Sequence, residues 1–124
     1  MTFTHLLWIA FGGALGAVCR ALVSHWIPTE YPWATLLVNV VGSLVIGYVF
    51  GTEAYQHLSP QFRLMVTTGF CGALTTFSTF SYQTLALFNR GEIAGGLVNI
   101  ALNLVLTLLA VAAGLKLASL VARS

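Results

Sequence analysis

The chain has 124 residues, 58% of them hydrophobic and only 6% charged, with a net charge of +2 and a mean hydropathy of +0.91. A soluble domain carries about a quarter charged residues, so the composition excludes a soluble fold and implies one all-α integral membrane domain spanning residues 1–124. The few positive charges are scattered and form no nucleic-acid patch, and two cysteines without a spacing pattern give no disulfide framework.

The charged residues punctuate the chain in a regular way: Arg20, Glu30, Glu53, Arg63, Arg90, Glu92, Lys116 and Arg123. Nineteen uncharged residues precede Arg20, 22 separate Glu30 from Glu53, 26 separate Arg63 from Arg90 and 23 separate Glu92 from Lys116. A spanning helix needs roughly 20 mostly apolar residues. Four runs therefore predict four transmembrane helices, near 3–25, 32–53, 61–88 and 93–118.

The first run reads as a span rather than a signal peptide, because "MTFTH" has no Lys or Arg and no A-x-A site follows. It carries the small-xxx-small pairs Gly12–Gly16 and Gly13–Ala17, and the second run carries Gly47–Gly51. Such pairs let helices approach closely, within one chain or between copies. In the second helix Asn39 and Ser43 lie four apart and share a face, with Gly42 beside them.

The third run contains "GALTTFSTFS" at 72–81, five of whose ten residues bear hydroxyls. Ser and Thr compete for backbone hydrogen bonds, and Gly69 and Gly72 flank the stretch, so this helix is expected to break in mid-membrane. A break frees carbonyl oxygens, which must be buried in protein or satisfied by water or a cation. Phe77 and Phe80, three apart, project to similar sides; packing explains that spacing as well as a ring-edge role does. In the fourth helix Asn99, Asn103 and Thr107 recur at four-residue steps and draw a polar stripe.

Two aligned stripes and a hydroxyl cluster suggest a hydrophilic path. No Asp, Glu or Lys falls at mid-span, where proton relays and cation binders place carboxylates. The available groups are amides and hydroxyls, which donate to anions, and aromatic ring edges, which carry partial positive charge.

The positive-inside rule does not choose an orientation. With the N-terminus cytoplasmic, Arg63, Lys116 and Arg123 lie on that side and Arg20 and Arg90 on the other. A chain that inserts both ways can pair as an antiparallel homodimer.

"GGALGAVCR" at 12–20, "TLLVNVVGSLVIG" at 35–47 and "GFCGALTTFSTF" at 69–80 resemble the signatures of the small bacterial fluoride channels, the Fluc family. The resemblance covers three of the four helices in order. It implies a dual-topology homodimer in the bacterial inner membrane, with two antiparallel pores that export fluoride passively. Phe77 and Phe80 match the phenylalanines whose ring edges line the path, Asn39 the pore-facing asparagine, and Ser78 and Thr79 the neighbouring hydroxyl stretch. Ser43, Asn103 and Thr107 extend that polar track. Gly72 and Thr75 match positions whose carbonyls bind a central structural sodium ion, and Arg20 the basic residue at a vestibule. Asn99 and Asn103 depart from the Tyr and Ser often found in the family's fourth helix.

Two other classes compete. Small multidrug exporters share the length and helix count but need a membrane-embedded carboxylate, whereas Glu30, Glu53 and Glu92 sit at helix ends. A non-transporting assembly subunit would need no polar stripes. An enzyme is not expected, since His5, His25 and His57 have no metal-ligand spacing.

Overall fold

The computed structural model describes all 124 residues as helices joined by short turns, with no strand. Helix α1 (Phe3–Trp26) starts at a capping box, in which Thr2 accepts the His5 amide and the His5 ring accepts the Thr2 amide. A turn containing Pro28 and Pro32 leads to α2 (Trp33–Gly51). Two short helices follow, α3 (Ala54–His57) and α4 (Pro60–Leu64), the latter capped by Ser59 with Pro60 at its first position.

From Met65 to Cys71 the chain is π-helical. A single α-turn, α5 (Gly72–Leu74), then stops at Thr75 and Thr76, both extended with ψ of 154° and 120°. Helix α6 (Phe77–Asn89) restarts at the Thr76 cap, and Gly91, with φ of 81°, turns the chain into α7 (Ile93–Arg123). That left-handed φ suits glycine because a Cβ would crowd the backbone there.

Three helices are long and apolar enough to cross a membrane: α1 with 24 residues, α2 with 19 and α7 with 31. At about 1.5 Å per residue they measure roughly 36, 28 and 46 Å, against a hydrocarbon core of about 30 Å. Helix α7 runs past the end expected near 118, because Lys116–Arg123 contains no Gly or Pro to stop it. Between residues 60 and 89 no single helical piece exceeds the 13 residues of α6.

Only 22 residues are buried, and the exposed ones include Phe11, Leu104 and Leu108. A water-soluble protein would not show so much apolar surface; a bilayer is the solvent that suits it. The buried residues of α7 are instead Gly96, Asn99, Asn103, Ala110, Gly114 and Ala118, three, four or seven apart. Small and polar side chains face inward because lipid gives no hydrophobic drive between helices, so close backbone approach and hydrogen bonds hold them together.

Two helix pairs result. Helix α2 lies along α7, where a Cβ on Gly47 would overlap the Val111 carbonyl and one on Gly114 the Leu44 carbonyl. Helix α1 lies along the π-helical segment, where a Cβ on Gly12 would overlap the Met65 carbonyl and one on Gly16 the Phe70 carbonyl. The Gly12–Gly16 and Gly47–Gly51 pairs are therefore used within the chain.

Because Gly16 abuts backbone, its neighbour cannot rotate aside. The substitution Gly16→Val is expected to destabilise by on the order of 1–3 kcal/mol or more, read as a lowered thermal midpoint in detergent. Gly13→Ala, whose nearest atom would be the Gly69 carbonyl at 3.9 Å, should leave that midpoint unchanged.

Candidate functional site

The interruption at Thr75–Thr76 leaves backbone groups without helical partners, and α2 supplies one. The Thr76 amide donates to Asn39 Oδ1 at 2.8 Å, and Asn39 Nδ2 donates back to the Thr76 carbonyl at 3.2 Å. Asn39 Nδ2 also donates to Asn103 Oδ1 at 3.0 Å. A primary amide has two N–H donors, so both hydrogens of Asn39 are engaged and its oxygen holds the break.

Other freed groups find different answers. Arg20 Nε donates to the Ala73 carbonyl at 3.0 Å, joining α1 to α5. The Thr75 amide and hydroxyl both donate to the Cys71 carbonyl, at 3.1 and 2.9 Å. The Thr75 carbonyl accepts no hydrogen bond within the chain. The amide four residues beyond Gly72, which would close a helical bond on its carbonyl, is that of Thr76 and is bonded to Asn39. The carbonyls of Gly72 and Thr75 are thus among the unpaired oxygens beside the break, and such hard oxygen ligands are the kind that a group-one or group-two cation takes. No cluster of His, Cys, Asp or Glu competes for a metal.

A groove of about 340 Å³ opens along the break. Asn39, Gly42, Ser43, Gly72, Thr75, Thr76, Asn103 and Thr107 give it a polar wall, and Phe77, Phe80, Ile46 and Leu104 an apolar one. Thr67 and Cys71 complete it. No lining side chain is an Asp, Glu, Lys, Arg or His. Gly42 is required for this shape, since a Cβ there would overlap the Thr75 side-chain methyl.

The structure gathers Asn39, Ser43, Phe77, Phe80, Asn103, Thr107, Gly72 and Thr75 around one space. Three sequence-derived residues lie outside its lining. Ser78 and Thr79 form the cap of α6: Thr76 Oγ1 accepts the Thr79 amide at 3.2 Å and meets the Thr79 and Ser78 hydroxyls at 3.1 and 3.3 Å. Arg20 serves the Ala73 carbonyl. The two phenylalanine rings lie 5.4 Å apart and tilted by 56°, yet Phe80 is 7% exposed and Phe77 75%. Phe77 is the open rim of the groove and Phe80 its floor.

Hydroxyl protons divide the wall further. Thr67, Thr75 and Thr107 donate to carbonyls four residues earlier, Arg63, Cys71 and Asn103, and so turn lone pairs outward. Ser43, on the same wall, has no hydrogen-bond partner within the chain.

Thr67, Thr76 and Cys71 were not singled out from sequence. Thr76 had a signal, a hydroxyl three residues before Thr79 at a helix start. Thr67 and Cys71 had none, because a π-helix closes i→i+5 bonds and alters which residues share a face.

A family model described as "CrcB-like protein, Camphor Resistance (CrcB)" matches residues 7–115. The chain belongs to the CrcB family. It is 41% identical over 127 residues to a protein of Hahella chejuensis, covering 98% of this chain and 99% of that one. It is 45% identical over 100 residues to one of Methanococcus aeolicus, covering 79% and 81%, and 42% identical over 113 residues to one of Salinibacter ruber, covering 88% and 85%. Each of these relatives is named a fluoride-specific ion channel, FluC. With three helices long and apolar enough to cross a bilayer, this chain is a multi-pass membrane protein.

Replacing Asn39 by Ala would strand the Thr76 amide, the Thr76 carbonyl and Asn103 Oδ1. Each buried group left unpaired costs on the order of 1–3 kcal/mol. Asn39→Ala is expected to lower the thermal midpoint in detergent and to speed deuterium uptake in the peptide containing Thr76.

Proposed function

We propose that this chain is a fluoride-selective ion channel, not an enzyme, in the bacterial cytoplasmic membrane, and that it lets fluoride leave the cell passively. The observation that carries this reading is a groove at the helix break that combines amide, hydroxyl and phenylalanine groups with no side chain charged at neutral pH. Relatives named fluoride-specific ion channels, matched over most of the chain, support it.

Fluoride is small, strongly hydrated and a strong hydrogen-bond acceptor. Water can be stripped from it only where donors replace the hydration shell. Ser43 offers a free O–H, and Phe77 and Phe80 present ring edges whose partial positive charge favours an anion. A fixed Lys or Arg would hold the ion too tightly to let it leave. The absence of an embedded carboxylate removes the means of proton-coupled drug export.

In the same reading residues 60–89 form a fourth crossing, interrupted at mid-membrane by Thr75 and Thr76. Two copies pair antiparallel and give two pores. The balanced Lys and Arg of the loops and the open rim at Phe77 support a second copy. Gly72 and Thr75 would hold a structural sodium ion through their carbonyls, two from each copy. The available Thr75 carbonyl and the diverted Thr76 amide support that assignment. Sodium would neutralise oxygen dipoles at the break and tie the two copies there.

Liposomes loaded with fluoride and chloride, with valinomycin and potassium to compensate charge, test the function by ion-selective electrode. Fluoride release without chloride release is the expected result. Release of neither ion from folded dimers would favour a non-transporting subunit. Phe80→Ile should cut fluoride flux by about tenfold or more, as loss of a contact worth roughly 1.4 kcal/mol would, with the dimer intact on size exclusion. Replacing sodium by N-methylglucamine should lower the dimer fraction seen by crosslinking; an unchanged fraction would remove sodium from the assembly.

A further inference from the structure

The Asn39 clamp is one end of a longer chain of side chains, and its far end lies outside the groove. Asn103 Nδ2 donates to Asn99 Oδ1 at 3.1 Å and to the Asn99 carbonyl at 3.0 Å. Asn99 Nδ2 donates to Thr84 Oγ1 at 2.9 Å, and the Thr84 hydroxyl donates to the Phe80 carbonyl at 2.8 Å. Asn99 is 1% exposed and Thr84 6%, and neither lines the groove.

The direction of the bonds in this chain follows from its Thr76 end. The Thr76 amide can only donate, so it must meet Asn39 Oδ1, which turns Asn39 Nδ2 toward Asn103. Asn103 must then show its oxygen to Asn39 and its nitrogen to Asn99. Asn99 in turn shows its oxygen to Asn103 and its nitrogen to Thr84. At the other end, Thr84 spends its proton on the Phe80 carbonyl and is left an acceptor, which is what Asn99 Nδ2 requires. The Thr84 hydroxyl, directed at the Phe80 carbonyl, is consistent with that order. Such head-to-tail chains polarise one another.

The chain also closes a mechanical loop. It leaves α6 at its cap, passes through α2 and α7, and returns to α6 at Phe80. The floor ring of the groove and the amides of its polar wall are thereby tied to one set of bonds.

We propose that Thr84 and Asn99 are positioning residues, which fix the carboxamides of Asn103 and Asn39 and the seat of Phe80 and so set the anion selectivity of the groove. This rests on the channel reading above. Without the Thr84 acceptor, the buried Asn99 Nδ2 is left unpaired, so Asn99 shifts toward another acceptor and its hold on Asn103 at the groove wall loosens.

The test compares Thr84→Val, which keeps shape and removes the hydroxyl, with Thr84→Ser, which restores it. Two readouts are taken on the full chain: the fluoride-to-chloride flux ratio in liposomes, and side-chain amide resonances of protein labelled with 15N-asparagine. A merely structural role would lower the fraction of active protein and leave the ratio alone. Thr84→Val is expected to lower the ratio by about tenfold, the size of effect that one unpaired buried group gives. It should also shift the Asn39 and Asn103 amides while leaving Asn89, at the far end of α6, in place. Thr84→Ser should keep the wild-type ratio and spectrum.

An unchanged ratio with unmoved Asn39 and Asn103 resonances in Thr84→Val would overturn the proposal. Equal loss in Val and Ser variants would overturn it too, as a packing effect. If Thr84→Val does not fold, Asn99→Asp, the same size but lacking the donor to Thr84, is read in the same two ways. Should the wild-type protein pass no fluoride, the channel reading fails and the resonances alone decide whether Thr84 sets the amides.

Discussion

Thr76 is held at both of its backbone polar groups by one side chain, Asn39. In hydrocarbon an unpaired peptide group costs several kcal/mol, so helix interruptions survive at membrane depth only where protein or water replaces the lost bonds. The rest of the site follows from that constraint. Once Asn39 has met Thr76, its second hydrogen reaches Asn103, and α2, α6 and α7 are committed to one arrangement. Arg20 plays the matching part for Ala73 from α1. Among the groups left unmatched are the carbonyls of Gly72 and Thr75, two residues that line the groove.

Packing supports this arrangement with backbone rather than side-chain bulk. Gly12 and Gly16 let α1 press against the carbonyls of the π-helical segment, and Gly47 and Gly114 do the same between α2 and α7. Contacts of this kind tolerate little substitution and leave little slack, so they hold the two helix pairs on either side of the groove. Apolar bulk goes outward instead, onto faces such as that of Leu104, Leu108 and Phe11, where lipid receives it. A polar interior and an oily exterior are the expected inversion when the solvent is hydrocarbon.

Much of this was legible in the residues. Charge spacing placed α1, α2 and α7 within a few residues of their observed limits, apart from the C-terminal overhang of α7. The four-residue steps of Asn39–Ser43 and of Asn99–Asn103–Thr107 identified faces that do meet. The hydroxyl-rich stretch contains Thr75 and Thr76, whose backbone is extended between α5 and α6. The π-helical segment was not legible, since its i→i+5 bonds leave no periodicity that a 3.6-residue pattern records. Nor was the division of labour among hydroxyls, in which Ser43 has no partner within the chain while Thr67, Thr75 and Thr107 give their protons to the preceding turn.

The sequence by itself determined a membrane solvent, the positions of the long helices and the polar faces. These depend on composition and on neighbours three or four residues away, which a linear pattern records. Tertiary structure alone decided that Asn39 clamps Thr76 across 37 residues, that Phe77 is open while Phe80 is closed, and that Asn99 reaches Thr84 rather than the groove. Those outcomes depend on which donor lies nearest which acceptor once the helices touch, and that distance is written only in the packed chain.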